Sequence, residues 1–216
     1  MTGKSATPRV VSEEWAPVEV RPQQDRAART RSEIIVAAAR LFNDKGFPAT
    51  SISDIADEVG MTKGAVYFHF RNKEDIALEV VRQHYAGWPE IIAEAKSEGL
   101  PPLETIKVLV NRVAREFRDN IVVKAGARLQ AERNLIGASL PRPYVGWTQS
   151  LTEMFTDAEA AGQLRAGVSP AAAARTLVSA FHGVQHVSDV LTGRADLIDR
   201  WTELRELLFF AVAAGQ

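Results

Sequence analysis

The sequence predicts an all-α protein in which a small helical head precedes a larger helical body. Three observations carry this expectation. Apolar residues recur at spacings of three and four along most of the chain, and Gly and Pro punctuate those stretches at helix-length intervals. No run alternates apolar and polar residues for long enough to make a strand.

Residues 1–24 lack periodicity and carry Pro8, Pro17 and Pro22, which reads as an extension that is flexible when free. From Asp25 the pattern turns helical, with Ile34, Ala37, Ala38, Leu41 and Phe42 on one face and Gly46 as a left-handed stop. Ser51 with Asp54 reads as a capping box opening a second helix, whose apolar side is Ile52, Ile55, Ala56 and Val59. Gly60 closes it. Thr62 caps a third helix running to about Phe70, and a fourth runs from Asn72 toward Gly87-Trp88-Pro89. After the break at Gly99-Leu100-Pro101-Pro102, a stripe of Leu103, Ile106, Leu109, Val110, Val113 and Phe117 marks another helix. Further helices are expected over Ile121 to about Leu135, Tyr144 to about Ala161, Pro170 to Leu191 and Leu197 to Ala214. The expected division is an N-terminal extension (1–24), a head (25–75) and a body (76–216).

Composition bounds the function classes. A 216-residue chain buries a real core as one medium domain or two small ones. No apolar run approaches the roughly 18 residues of a membrane span, and Glu13, Glu14 and Glu19 sit where a secretory signal would be apolar. Zero cysteines exclude disulfides and thiolate chemistry, which fits a cytoplasmic location without requiring one. The net charge of −1 conceals an asymmetry: from Arg21 to Lys73 there are nine Lys or Arg against six Asp or Glu. A locally basic head on a neutral body meets phosphate without making the whole chain sticky.

The second and third helices, joined by a few residues including Gly60, have helix-turn-helix proportions. Val59, Val66 and Phe70 are expected to lock the pair, leaving Lys63, Gly64 and Tyr67 on the opposite side. That side suits a DNA major groove. Gly64 allows close backbone approach, Lys63 reaches a base edge or phosphate, and Tyr67 and His69 suit phosphate oxygens. Ser51 and Lys73 stand at two other helix N-termini, where anions bind. Arg26, Arg29 and Arg31 either carry the extension onto the duplex or form a solvated charged face.

The run from Thr50 to Asp75, TSISDIADEVGMTKGAVYFHFRNKED, resembles the DNA-binding signature of the TetR family, with the likeness extending from Arg29 through Leu78. The resemblance implies an all-helical homodimer that presents two recognition helices to a pseudo-palindromic operator. It also implies DNA contacts at Thr62, Lys63, Gly64, Tyr67, His69 and Lys73.

The body carries polar-tipped aromatics among apolar helices: Tyr85, Trp88, Tyr144 and Trp147, with Gln130. Greasy walls with a few aimed hydrogen-bonding groups make a small-molecule pocket; aromatics at such spacing also serve as plain core. The segments Arg82–Pro89, Ala125–Gln130 and Leu140–Trp147 resemble the autoregulator receptors of antibiotic-producing actinobacteria, with the furan-type receptors of methylenomycin synthesis the nearest likeness. This implies a repressor of antibiotic-biosynthesis genes, released by a γ-butyrolactone, a butenolide or a 2-alkyl-4-hydroxymethylfuran-3-carboxylic acid. It places Tyr85, Gln130, Tyr144 and Trp147 around that inducer. The alternative is a TetR-like multidrug sensor controlling an efflux pump, with a looser, cation-accepting pocket.

Leu177, Val178, Phe181, Val184, Leu204, Leu207, Leu208 and Phe210 give the last two helices more apolar surface than one body covers, which fits a dimer interface. His182 and His186 have a spacing that serves metals, with Asp189 in place for a third ligand, but no Glu follows the first histidine and no cysteine is near, and helix packing near the dimer interface is the expectation. No metal and no cofactor are expected. With no nucleophile–base pair and no phosphate-cradling glycine loop, the chain does not read as an enzyme.

Overall fold

The computed structural model describes residues 22–215, so the extension up to residue 21 lies outside the described residues. Among the described residues ten α-helices follow one another: α1 (Pro22–Lys45), α2 (Ile52–Glu58), α3 (Lys63–His69), α4 (Lys73–Ala86), α5 (Trp88–Ser97), α6 (Pro102–Asp119), α7 (Ile121–Ala131), α8 (Val145–Ala160), α9 (Pro170–Thr192) and α10 (Leu197–Val212). A short 3-10 turn, Arg133–Leu135, follows α7. The all-α expectation holds; among the described residues the only β pairing is an isolated bridge between Leu164 and Ala213. No helix among them is long and apolar enough to cross a membrane.

The helix ends follow the sequence signals closely. Ser51 Oγ accepts from Asp54 N at 3.1 Å and Asp54 Oδ2 accepts from Ser51 N at 2.9 Å, completing the capping box with Asp in place of Glu. These hydrogen bonds hold the Asp54 carboxyl below the usual carboxylate range. Thr62 and Asn72 cap α3 and α4 in the same way. Gly46 and Gly60 take φ of +81° and +68°, so each stops its helix in the left-handed region. Three boundaries differ from expectation. Helix α1 begins at Pro22 rather than Asp25, α7 ends at Ala131 with a 3-10 turn taking up the stretch to Leu135, and the Trp88-Pro89 break opens α5, because proline fits the first turn of a helix.

Two apolar cores result. One joins α1, α2, α3 and α4 through Ile34, Phe42, Ile55, Val66, Phe70, Ile76 and Val80, and it takes in Ala125 and Leu129 of α7. The head therefore buries its apolar surface partly against the body. The second core packs α6, α8, α9 and α10 around Ile106, Leu109, Phe155, Leu177 and Trp201. Tyr85 of α4 packs against both cores. Helix α4 contributes to the head core at one end and reaches the body at the other, about 21 Å away along its axis at 1.5 Å per residue.

Candidate functional site

The head presents α3 as expected. Val66 and Phe70 are buried, 0% and 3% exposed, and Val59 is half-buried beside them. Thr62, Lys63 and Gly64 are exposed, and Tyr67 is 52% exposed. A Cβ added at Gly64 would meet nothing nearer than Thr62 Oγ1 at 3.9 Å, and its φ is not positive. The fold does not need a glycine there, although glycine costs a helix interior about 1 kcal/mol. Phe68, a second aromatic on this surface, is 83% exposed, and its ring meets His69 edge-on at 5.2 Å.

Other basic residues of the head have internal work. Arg31 donates to the His69 carbonyl and to Glu79 Oε2, both at 3.1 Å, and lies 4.2 Å from the centre of the Phe70 ring. It ties α3 to α1 and α4, while Arg29 pairs along its own helix with Glu33. Lys73 donates to the Phe47 carbonyl at 2.7 Å and lies 4.1 Å from that ring centre, so its ammonium also fastens the α1–α2 turn. Ser51 and Thr62 spend a lone pair on capping, and each hydroxyl proton stays free to donate.

The body holds two adjoining chambers. The inner one, about 70 Å³, is walled by apolar residues of α6, α8 and α9, among them Val110, Val113, Phe117 and Phe181. The outer cleft, about 410 Å³, is lined by Arg82, Trp88, Ile92, Pro141, Arg142 and Ser150. Tyr85, Tyr144 and Trp147 line both, forming the passage between them. Among the described residues no Asp or Glu lines either chamber.

Gln130, 7% exposed, stands beside that passage. Its Nε2 donates to the Tyr85 hydroxyl at 3.1 Å and to the Pro141 carbonyl at 3.0 Å, while its Oε1 has no protein partner. Burial raises the Tyr85 and Tyr144 hydroxyls above the usual tyrosine value, so both remain neutral donors. Tyr144 is a non-glycine residue at φ +67° just before α8, a strained conformation that aims its hydroxyl at His182, 3.1 Å from Nε2. The structure thus gathers Tyr85, Tyr144 and Trp147 around one space, while Gln130 lines neither chamber and is joined to their lining through the Tyr85 hydroxyl and the Pro141 carbonyl.

Sequence reasoning missed three polar groups here. His84, 5% exposed, sits with Nδ1 3.0 Å from the Val123 carbonyl; burial lowers its pKa to about 4 and keeps it neutral. Its ring occupies the space a side chain at Gly126 would need, since a Cβ there would lie 2.4 Å from His84 Cβ. His182, expected near the dimer interface, is half-buried against Tyr144 in the chamber wall. Gln185, one turn further on, is 4% exposed and lines the inner chamber. Among the described residues no cluster suited to a metal ion forms around these histidines.

The helices that carry Tyr85 and Gln130, α4 and α7, also reach the head. At the C-terminal end of α7, Glu132 Oε2 accepts from Phe47 N at 2.7 Å, and Arg128 donates to Glu132 at 3.0 Å and to the Asn43 carbonyl at 2.5 Å. A side chain at Gly46 would collide with this pair.

A head with an outward recognition helix and a body with a screened chamber match known models over most of the chain. Residues 34–80 match the family described as bacterial regulatory proteins, tetR family, and residues 101–213 match the tetracyclin repressor-like C-terminal domain. The chain belongs to the TetR family. It is similar to the A-factor receptor protein of Streptomyces griseus, 32% identical over 84% of this chain and 63% of that protein's length. A solved structure described as the molecular basis for control of antibiotic production by bacterial hormones is 55% identical, with a TM-score of 0.80, covering 86% of this chain and 98% of the other. CprB from Streptomyces coelicolor, solved with its biological operator sequence, is 31% identical with a TM-score of 0.74, covering 87% and 90%.

The outward face of this TetR-family body includes Val187, Val190 and Leu191 of α9 and Leu207 and Phe210 of α10, which are 44–78% exposed. Leu177 and Leu208, which the sequence groups with Leu207 and Phe210, point into the core instead.

Proposed function

We propose that this chain is a homodimeric, cytoplasmic transcriptional repressor that leaves its operator when a hormone-like small molecule enters the chamber. The observation that carries this reading is the outward face of α3, where a glycine unneeded by the fold stands between Lys63 and Tyr67. Gly64 brings backbone to the major groove, Lys63 and Thr62 meet base edges or phosphates, and Tyr67, His69, Ser51 and Lys73 meet the backbone of the duplex. Pairing of the exposed α9 and α10 faces fixes the spacing of two heads on a pseudo-palindrome.

The inducer class follows from the chamber. Neutral tyrosine hydroxyls, the Gln130 amide and the outer Arg82 and Arg142 favour a lactone carbonyl or a carboxylate over a lipophilic cation. The resemblance to a receptor of A-factor and to a structure concerned with hormone control of antibiotic production supports a γ-butyrolactone, a butenolide or a 2-alkyl-4-hydroxymethylfuran-3-carboxylic acid. The reading makes Tyr85, Gln130, Tyr144 and Trp147 its contacts and antibiotic-biosynthesis genes its targets.

Release requires the inducer to bind the DNA-incompetent state more tightly. A differential of ~3 kcal/mol weakens operator binding about 150-fold. The test is footprinting on DNA upstream of the protein's own coding region, repeated with a lactone, a butenolide, a furan acid and a lipophilic cation. Protection lost with one of the first three supports the reading. Loss only with the cation, or no protection over random competitor, contradicts it.

A further inference from the structure

The inner chamber contains a polar pair that the proposed contacts do not use. Gln185 and His182 lie three residues apart on α9, and both line the chamber. The Gln185 Nε2 makes a long contact of 3.5 Å to His182 Nδ1, while the Gln185 Oε1 is buried and has no hydrogen-bond partner. A buried amide oxygen left unpaired costs about 1–3 kcal/mol. Walls of Val110, Val113, Phe117 and Phe181 offer nothing to satisfy it. Burial and the neighbouring His186 lower the His182 pKa, so the pair carries no charge and does not suit a carboxylate.

The Tyr144 hydroxyl lies 3.3 Å from His182 Nδ1 and 3.1 Å from Nε2, so that ring stands between Tyr144 and the Gln185 amide. The Gln185 amide oxygen is the acceptor of this group left without a partner. An apolar ligand tail would leave that oxygen unpaired, and a carbonyl would oppose it. Only a donor completes it.

We propose that Gln185, beside His182, is a specificity-determining residue that accepts a hydrogen bond from a hydroxyl group of the inducer. This rests on the ligand-sensing reading above and sharpens it: the inducer carries a polar head toward Tyr85 and Gln130 and a hydroxyl deeper in the chamber. Because Gln185 lies on α9 between the chamber and the exposed Val187, Val190 and Leu191, the hydroxyl is read by the helix whose other face is apolar and uncovered.

The experiment uses matched compounds: a γ-butyrolactone, a butenolide and a furan acid, each prepared with its hydroxyl and as the deoxy counterpart. Affinities for the full-length protein are measured by calorimetry, alongside the variants Gln185→Leu and Gln185→Met, whose folding is checked by thermal unfolding and duplex binding. In the unaltered protein, one hydroxylated compound binds at least about tenfold more tightly than its deoxy partner. In both variants that ratio falls to within about twofold of one, while affinity for the deoxy compound is kept or improved. Equal weakening of both partners would show a merely structural role and overturn the proposal. So would binding with no hydroxyl preference in the unaltered protein, which leaves the sensing reading intact. Failure of every compound to bind would remove the sensing reading and the proposal together.

Discussion

Glu132 and Lys73 grip the two sides of Phe47: Glu132 Oε2 accepts from its N–H and Lys73 Nζ donates to its carbonyl, each at 2.7 Å. Lys73 opens α4, which bears Tyr85; Glu132 ends α7, which bears Gln130; and Tyr85 and Gln130 are themselves joined at 3.1 Å. The two helices are thus linked at the chamber and again at the turn leading into α2. A shift that separates them at Tyr85 acts on both sides of the Phe47 backbone.

Glu132→Ala leaves the Phe47 N–H without its charged acceptor and frees Arg128. It is expected to cost about 1–3 kcal/mol in urea unfolding. Inducer affinity in the absence of DNA should stay within about twofold, because Glu132 lines neither chamber. The ratio of duplex affinities without and with inducer should fall several-fold. An unchanged ratio would place the coupling elsewhere.

Gly126→Ala drives a methyl group into His84 and forces α4 and α7 apart. The expected loss is about 1–3 kcal/mol, seen as a melting temperature lower by roughly 2–4 °C per kcal/mol. Pairing it with His84→Gly, which removes both the Cβ at 2.4 Å and the ring, should recover part of the loss in a double-mutant cycle. Strictly additive losses would contradict the contact.

The buried His84 also sets an acid limit. Its pKa in the folded protein is about 4, below the ordinary 6.5, so the unfolded chain takes up a proton first as pH falls. The stability from burying the neutral ring is complete above pH 6.5 and is lost as pH falls toward 4, amounting to about 3 kcal/mol. In urea unfolding between pH 7.5 and 4, the advantage of the unaltered protein over His84→Asn should narrow by about that amount. A gap independent of pH would contradict the assignment.

Much of this architecture is legible in local sequence because helix signals are local. Ser51 with Asp54, Thr62, Asn72 and the positive-φ glycines at 46 and 60 place the head's boundaries to within a residue or two. Helix α5 escapes notice because Trp88-Pro89 reads equally as a break and as a first turn. The proposed ligand contacts Tyr85, Gln130, Tyr144 and Trp147 stand out as polar or aromatic residues among apolar helices. The roles of His182 and Gln185 are set by Tyr144, some 38 residues earlier than His182, and by an enclosing wall drawn from several helices. The second function of Lys73 is hidden for the same reason, since Phe47 lies 26 residues before it.

Gln130→Glu replaces a donor facing the Tyr85 hydroxyl and the Pro141 carbonyl with an acceptor that opposes the latter. Operator binding should persist, and release by a furan acid or a lactone should be abolished. Release by a furan acid at unchanged concentration would remove Gln130 from the pocket.

The outward face of α3 is tested most directly by Gly64→Ala in a fluorescence-anisotropy titration of an upstream duplex, measured with thermal unfolding of the same protein. A methyl group fits the free protein and should raise its stability by up to about 1 kcal/mol, while duplex affinity falls at least tenfold. Undiminished affinity in the stabilised variant would contradict a role for this face in reading DNA.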